Sequence, residues 1–184
     1  MVRESRVVAE LLINGVTEKQ WHRAISEENI LQKRTAASAT RNARAIRQRL
    51  EMLEPEFWVA LINADDELAT QISLVAALER NPHFKEFMET IVADAYASYQ
   101  EFLHAHDWLE FLEVKTNSDP EILNLKESSI KKMGQVVFRM LAEAGYIKST
   151  RNLKLQKVIL RPELKDLLRQ TNRFRTLSCM DITR

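Results

Sequence analysis

Apolar residues recur at helical spacing along most of the chain. The clearest stripe is Ala39, Ala43, Ile46, Leu50 and Leu53, spaced four, three, four and three. That spacing keeps them on one side of a helix turning about 100° per residue. Arg41, Arg44 and Gln48 then fall on the opposite side, with Arg47 and Arg49 on the flanks. Upstream, residues 5–14 (SRVVAELLIN) read as a short apolar helix closed by Gly15. Thr17 with Gln20 has the form of a capping box and opens a helix holding Trp21, Ala24 and Ile25, ending near Asn29. The turn ILQKR leads to Thr35 or Ser38 as the next cap.

Downstream, Pro55 suits the first turn of a fourth helix, and Asp65 caps a fifth through Leu68, Ile72, Val75 and Leu78. Asn81-Pro82 opens a long helix through Phe84, Phe87, Ile91, Ala95 and Tyr99. Phe102, Trp108, Leu109 and Leu112 continue its pattern after a break near His104. Residues 116–120 form a loop and helix start, and residues 120–125 a short helix. Ser128 or Ser129 caps the next helix, which stops at Gly145. Its apolar face is Ile130, Met133, Val137, Met140 and Leu141; its other face shows Lys131, Lys132, Gln135 and Arg139. Tyr146-Ile147 and the stretch from Leu155 to Leu160 pair as a small wing with STRN at the tip, and Pro162 opens a further helix. The tail from Thr171 is ambiguous.

These elements predict an all-α fold: a globular helical bundle with two helix-turn-helix units and one small β-hairpin wing near the C-terminus. The scarcity of breakers agrees, with three glycines and four prolines in 184 residues. The expected organisation is an N-terminal unit over 1–54, an acidic helical scaffold over 55–117 and a winged unit over 118–184, within one compact globule.

Charge changes the picture more than composition does. The net charge is +1. Yet residues 29–50 carry six bases and no acid, residues 51–125 hold sixteen acids against three bases, and residues 126–161 hold nine bases against two acids. Two basic blocks bracketing an acidic middle point to a polyanionic partner. The N-terminus lacks an apolar signal core and no apolar run approaches the ~20 residues that span a bilayer, so a cytoplasmic location and no membrane partner are expected. Cys179 is the lone cysteine, which excludes an internal disulfide and a cysteine zinc site.

Chemistry is sparse. Gly15, Gly134 and Gly145 are isolated, so no glycine-rich phosphate loop exists. His104 and His106 stand two apart beside Asp107; on a helix they would not share a face, so no metal site is expected. Trp21, Trp58 and Trp108 occupy apolar helical positions and read as core. The acids Glu86, Glu89, Asp94, Glu101, Asp107, Glu110 and Glu113 read as a solvated face. No catalytic residue, metal or cofactor is assigned.

Four stretches together resemble the BrxA family, a small component of BREX bacteriophage-exclusion systems: SRVVAELLINGVTEKQW, ENILQKRTAASATRNARAIRQRLEML, KMGQVVFRMLAEAGYI and RFRTLSCMDI. The likeness spans nearly the whole chain. It implies an α-helical, DNA-binding, non-catalytic protein acting beside a DNA methyltransferase, a large ATPase and an alkaline-phosphatase-like protein. The expected contacts with double-stranded DNA are Lys33, Arg34, Ser38, Arg41, Arg44, Arg47 and Gln48 in the first basic block. In the second they are Lys126, Lys131, Lys132, Gln135 and Arg139, with Lys148, Arg151, Lys154 and Lys157 on the wing. Phosphate contacts should dominate. An adaptor that binds only protein, and an RNA-binding helical protein, are the alternative readings.

Overall fold

The computed structural model describes residues 2–116, 122 and 125–183. Among them the chain is helical apart from a small antiparallel sheet near the C-terminus. It folds as two compact units: Met1–Asn81 with Arg161–Asn172, and Pro82–Leu160 with Arg173–Arg184.

In the first unit, α1 (Val2–Ile13) buries Val8 and Ala9 and ends before Gly15, whose φ of 56° is the left-handed turn that glycine adopts freely. Thr17 caps α2 (Glu18–His22) through the expected capping box with Gln20. The helix then widens into one π turn, Arg23–Glu27, which seats Ile25 in the core. Asn29 and Gln32 both have positive φ, and the Asn29 amide clasps the Lys33 backbone on both sides, at 2.7 and 2.9 Å. That clasp sets the turn before α3 (Ala36–Leu50). Thr35, not Ser38, caps α3.

Ala39, Ala43, Ile46 and Leu50 of α3 are buried, as their spacing predicted. The two alanines keep the helix surface low where α3 packs on α1 and on α5 (Asp66–Arg80). Pro55 starts α4 (Pro55–Asn63), which packs on α1 and α5. Asp65 caps α5, accepting from Leu68 N–H at 2.9 Å. Helix α5 is buried nearly all round, the pattern of a central helix. Its one buried amide, Gln71, accepts from Arg161 N–H at 3.0 Å, and so brings the segment 161–172 into this unit.

In the second unit, α6 (Pro82–Phe87), a π stretch (Met88–Val92) and α7 (Ala93–Ala97) form one helical run. This run stops short of the sequence expectation. Ser98 ends it, and Tyr99 takes a φ of 55° and is fully exposed instead of continuing the apolar face. Phe102 is not helical either. It bridges Lys154, with Leu103 N–H donating to Leu153 at 3.0 Å and Leu155 N–H to Glu101 at 3.0 Å. Pairing with a distant strand overrides the local helical spacing here.

Helix α8 (Asp107–Thr116) follows. The loop and short helix expected over 116–125 fall largely outside the described residues; Ile122 is buried. Helix α9 (Glu127–Glu143) begins two or three residues earlier than a cap at Ser128 or Ser129 would start it. Lys126 occupies the cap position and its carbonyl accepts the first backbone bonds, from Ser129 at 2.8 Å and Ile130 at 3.1 Å. The run ends at Gly145, φ 82°.

The hairpin pairs β1 (Ile147–Ser149) with β2 (Asn152–Leu155), turning at STRN as expected. Beyond Leu155 the chain leaves the sheet, so the expected partner stretch shortens to its first residue. Gln156 N–H still donates to Tyr146 C=O at 2.9 Å, and where the ladder ends the Tyr96 hydroxyl lies 2.8 and 2.6 Å from the carbonyls of Tyr146 and Gln156. Burial pushes its pKa up to about 12. After α10 (Pro162–Gln170) of the first unit, α11 (Phe174–Met180) returns to the second. There the Tyr146 hydroxyl donates to Met180 C=O at 2.6 Å. Phe87 lies at the centre, edge-on to Trp108, Phe111 and Phe138 at 5.2, 5.5 and 6.3 Å.

Candidate nucleic-acid interface

In the first unit the apolar stripe of α3 faces inward, so the opposite side must face solvent. Arg41, Arg44 and Gln48 are exposed there, and Arg34 is exposed in the bend before the helix. Among the described residues, no carboxylate pairs with Arg34, Arg41 or Arg44. Arg47 differs. Its guanidinium donates to Glu51 at 2.7 Å and to Glu18 at 2.7 Å, and lies 4.7 Å from the centre of the Trp21 ring. The hydrogen bonds to Glu51 and Glu18 hold its pKa above the ordinary arginine value. Arg47 thus clamps α2 to α3. Lys33 is also taken up, by Glu4 of α1. Burial pushes the Glu4 carboxyl up, but the Lys33 hydrogen bond and charge outweigh it and leave the pKa lowered. Ser38 lies within the cap of its own helix, its N–H donating to Thr35 Oγ1 at 3.1 Å.

In the second unit Lys131, Lys132, Gln135 and Arg139 are exposed along α9, with Lys126 at its start. Lys148, Arg151 and Lys157 are exposed on and just after the hairpin. Lys154 is half-buried. Its ammonium donates to Glu101 at 2.7 Å and lies 6.0 Å from the centre of the Phe102 ring, holding the third strand segment against β2. A groove of about 600 Å³ runs beside this face. Trp108, Leu109 and Phe138 supply its apolar lining, and Lys131, Gln135 and Arg139 its polar lining. Gly134 lets Trp108 approach α9, since a Cβ there would sit 2.8 Å from the indole.

His104 and His106 also depart from expectation. They precede α8 and lie in a turn, where residues two apart can converge. Their rings stack at 5.2 Å, and with Asp107 they form a group of donor atoms within 4.8 Å of one another. Trp108 is core as predicted, whereas Trp21 and Trp58 are only half-buried; Trp58 Nε1 donates to Leu50 C=O at 2.8 Å. No helix among the described residues is long and apolar enough to cross a membrane.

The BrxA family model matches residues 1–172. The chain belongs to the BrxA family. It is 32% identical to the BREX protein BrxA of Paramagnetospirillum magneticum, over 98% of this chain and 90% of that protein. It is 34% identical to the BREX protein BrxA of Escherichia coli, over 98% of this chain and 85% of that one. A BrxA relative from Bacillus cereus is 25% identical, over 90% of this chain and 84% of its own length. The fold matches the crystal structure of an uncharacterized protein from Magnetospirillum magneticum with a TM-score of 0.89 and 31% identity, covering 98% of this chain and 93% of that one. BrxA membership places the chain in BREX phage defence.

Proposed function

We propose that this BrxA chain is a non-catalytic, double-stranded-DNA-binding component of its BREX system, held mainly by phosphate contacts. One observation carries the reading: most of the cations expected to meet DNA divide into two sets. Lys33, Arg47 and Lys154 are tied to carboxylates. Arg34, Arg41 and Arg44 on one unit, and Lys131, Lys132, Arg139, Lys148, Arg151 and Lys157 on the other, stand exposed with no such partner among the described residues. A cation already hydrogen-bonded to a carboxylate must break that contact to meet a phosphate, while an exposed one need only release counterions.

Element order supports the same reading. In the first unit α2, a turn and α3 follow the helix-turn-helix order. In the second, the helical run over 82–97, the strand segment at Phe102, α8, α9 and the β1–β2 hairpin follow the order of a winged helix-turn-helix. Helices α3 and α9 would then be the elements laid into the major groove. Gln48 and Gln135 are exposed on the same faces as the cations and are the candidates for base edges. The methyltransferase, ATPase and alkaline-phosphatase-like components of BREX are the proposed protein partners.

A gel shift with duplex DNA, duplex RNA and a charge-matched polyanion tests the proposal. Retarded duplex DNA at physiological salt is the expected result. Absence of binding would favour the adaptor reading, and tighter binding of duplex RNA the RNA reading.

A further inference from the structure

We propose that His104, His106 and Asp107 form a binding site for a divalent transition-metal ion of the zinc class. Asp107 Oδ1 lies 3.9 Å from His104 Nδ1 and 3.7 Å from His106 Nε2. Both separations exceed a hydrogen bond, so neither ring nitrogen is already tied to this carboxylate oxygen. Metal–ligand bonds of about 2.1 Å at tetrahedral angles place neighbouring donors about 3.4 Å apart. These two separations are a few tenths of an ångström from that, all three donor atoms lie within 4.8 Å of one another, and both imidazoles are exposed.

The carboxylate is already oriented for the task. Its other oxygen, Oδ2, accepts from the His104 backbone N–H at 2.7 Å, leaving Oδ1 turned toward both rings. A ligand atom steadied in this way by a hydrogen bond to its neighbour is the usual support around a protein metal site. Helix α8 begins at Asp107, which fixes the carboxylate at the first turn while the two histidines occupy the turn before it. Glu110, one turn along α8, places Oε1 3.9 Å from His106 Nε2 but stands outside the group of three, which leaves the remaining coordination positions to water. Two imidazoles with one carboxylate suit zinc, cobalt, nickel or copper; magnesium and calcium prefer all-oxygen sites. Cys179 is buried elsewhere in the unit and adds no thiolate.

The test uses the full chain without a polyhistidine tag, stripped with chelator and titrated with Zn²⁺ against a chromophoric competitor. Binding of Co²⁺ is followed in parallel by its visible absorption. One equivalent should bind. The His104→Gln/His106→Gln variant should bind more weakly by more than about tenfold per ligand removed, at least the loss that an outer partner causes. Its far-ultraviolet circular dichroism should match the parent, because both side chains are exposed. His22→Gln removes a histidine of the first unit that faces Glu27 at 3.4 Å, and should leave binding unchanged. Absence of saturable binding by the parent, equal affinity in the double variant, or loss of binding in His22→Gln would each overturn the proposal.

Discussion

Replacing Arg34, Arg41 and Arg44 together by Gln isolates the electrostatic contribution of the first unit. None of the three pairs with a carboxylate among the described residues, and all are exposed. Glutamine keeps most of their helix propensity, so α3 should persist. If each arginine neutralises one phosphate, the slope of log affinity against log salt becomes shallower by about 0.9 per residue, or about 2.7 for the triple. Over a fourfold rise in salt, from about 50 to 200 mM, the parent should then lose about 40-fold more affinity than the variant. Fluorescence anisotropy of a labelled duplex at several salt concentrations measures both slopes. Arg47→Gln is the control, because its charge is engaged by Glu18, Glu51 and the Trp21 ring. It should leave the salt slope unchanged and lower stability by about 1–2 kcal/mol, the sum of two part-exposed ion pairs and one cation–π contact. Equal slopes for the parent and the triple variant would mean that α3 presents only a solvated face, and the DNA reading of this unit would fail.

Three further outcomes test the fold around the second candidate face and the N-terminal clamp. Gly134→Ala should destabilise by about 1–3 kcal/mol in urea denaturation, since the new methyl would overpack against the fully buried Trp108. Tyr146→Phe should cost about 1–3 kcal/mol by the same measurement, because it leaves the Met180 carbonyl without its buried donor. Glu4 has a folded pKa below its ordinary 4.5, so its contribution is present above that value and is lost as pH falls through the lowered one. Glu4→Gln should therefore be less stable than the parent at neutral pH, with the difference closing in acid; a gap in thermal melts that fails to narrow as the pH falls below 4.5 would contradict the Lys33 pairing.

Helix caps and stops were legible because each acts within one turn of chain. Thr17 with Gln20, Asp65 with Leu68, Pro55, Gly15 and Gly145 all serve the roles their local sequence indicates. The buried stripe of α3 was legible for a related reason: a repeat of three and four residues has only one inward face. Where two local signals competed, geometry chose between them. Thr35 prevailed over Ser38, and the backbone of Lys126 over the hydroxyls of Ser128 and Ser129.

The sequence by itself therefore determined the helical class, most element starts and the two concentrations of positive charge. Tertiary structure alone decided which charges remain exposed and unpaired. Glu18 clamps Arg47 across 29 residues, and Glu101 takes Lys154 across 53. Such pairs leave no periodic trace, because their partners meet only after the chain closes on itself. The same holds for Phe102, whose helical spacing yields to pairing with β2, and for Arg161, which meets Gln71 across 90 residues and so carries α10 into the first unit. It holds also for His104 and His106, which a helix would have pointed apart. The turn before α8 brings them together, because i and i+2 side chains can converge only where the backbone leaves the helical path.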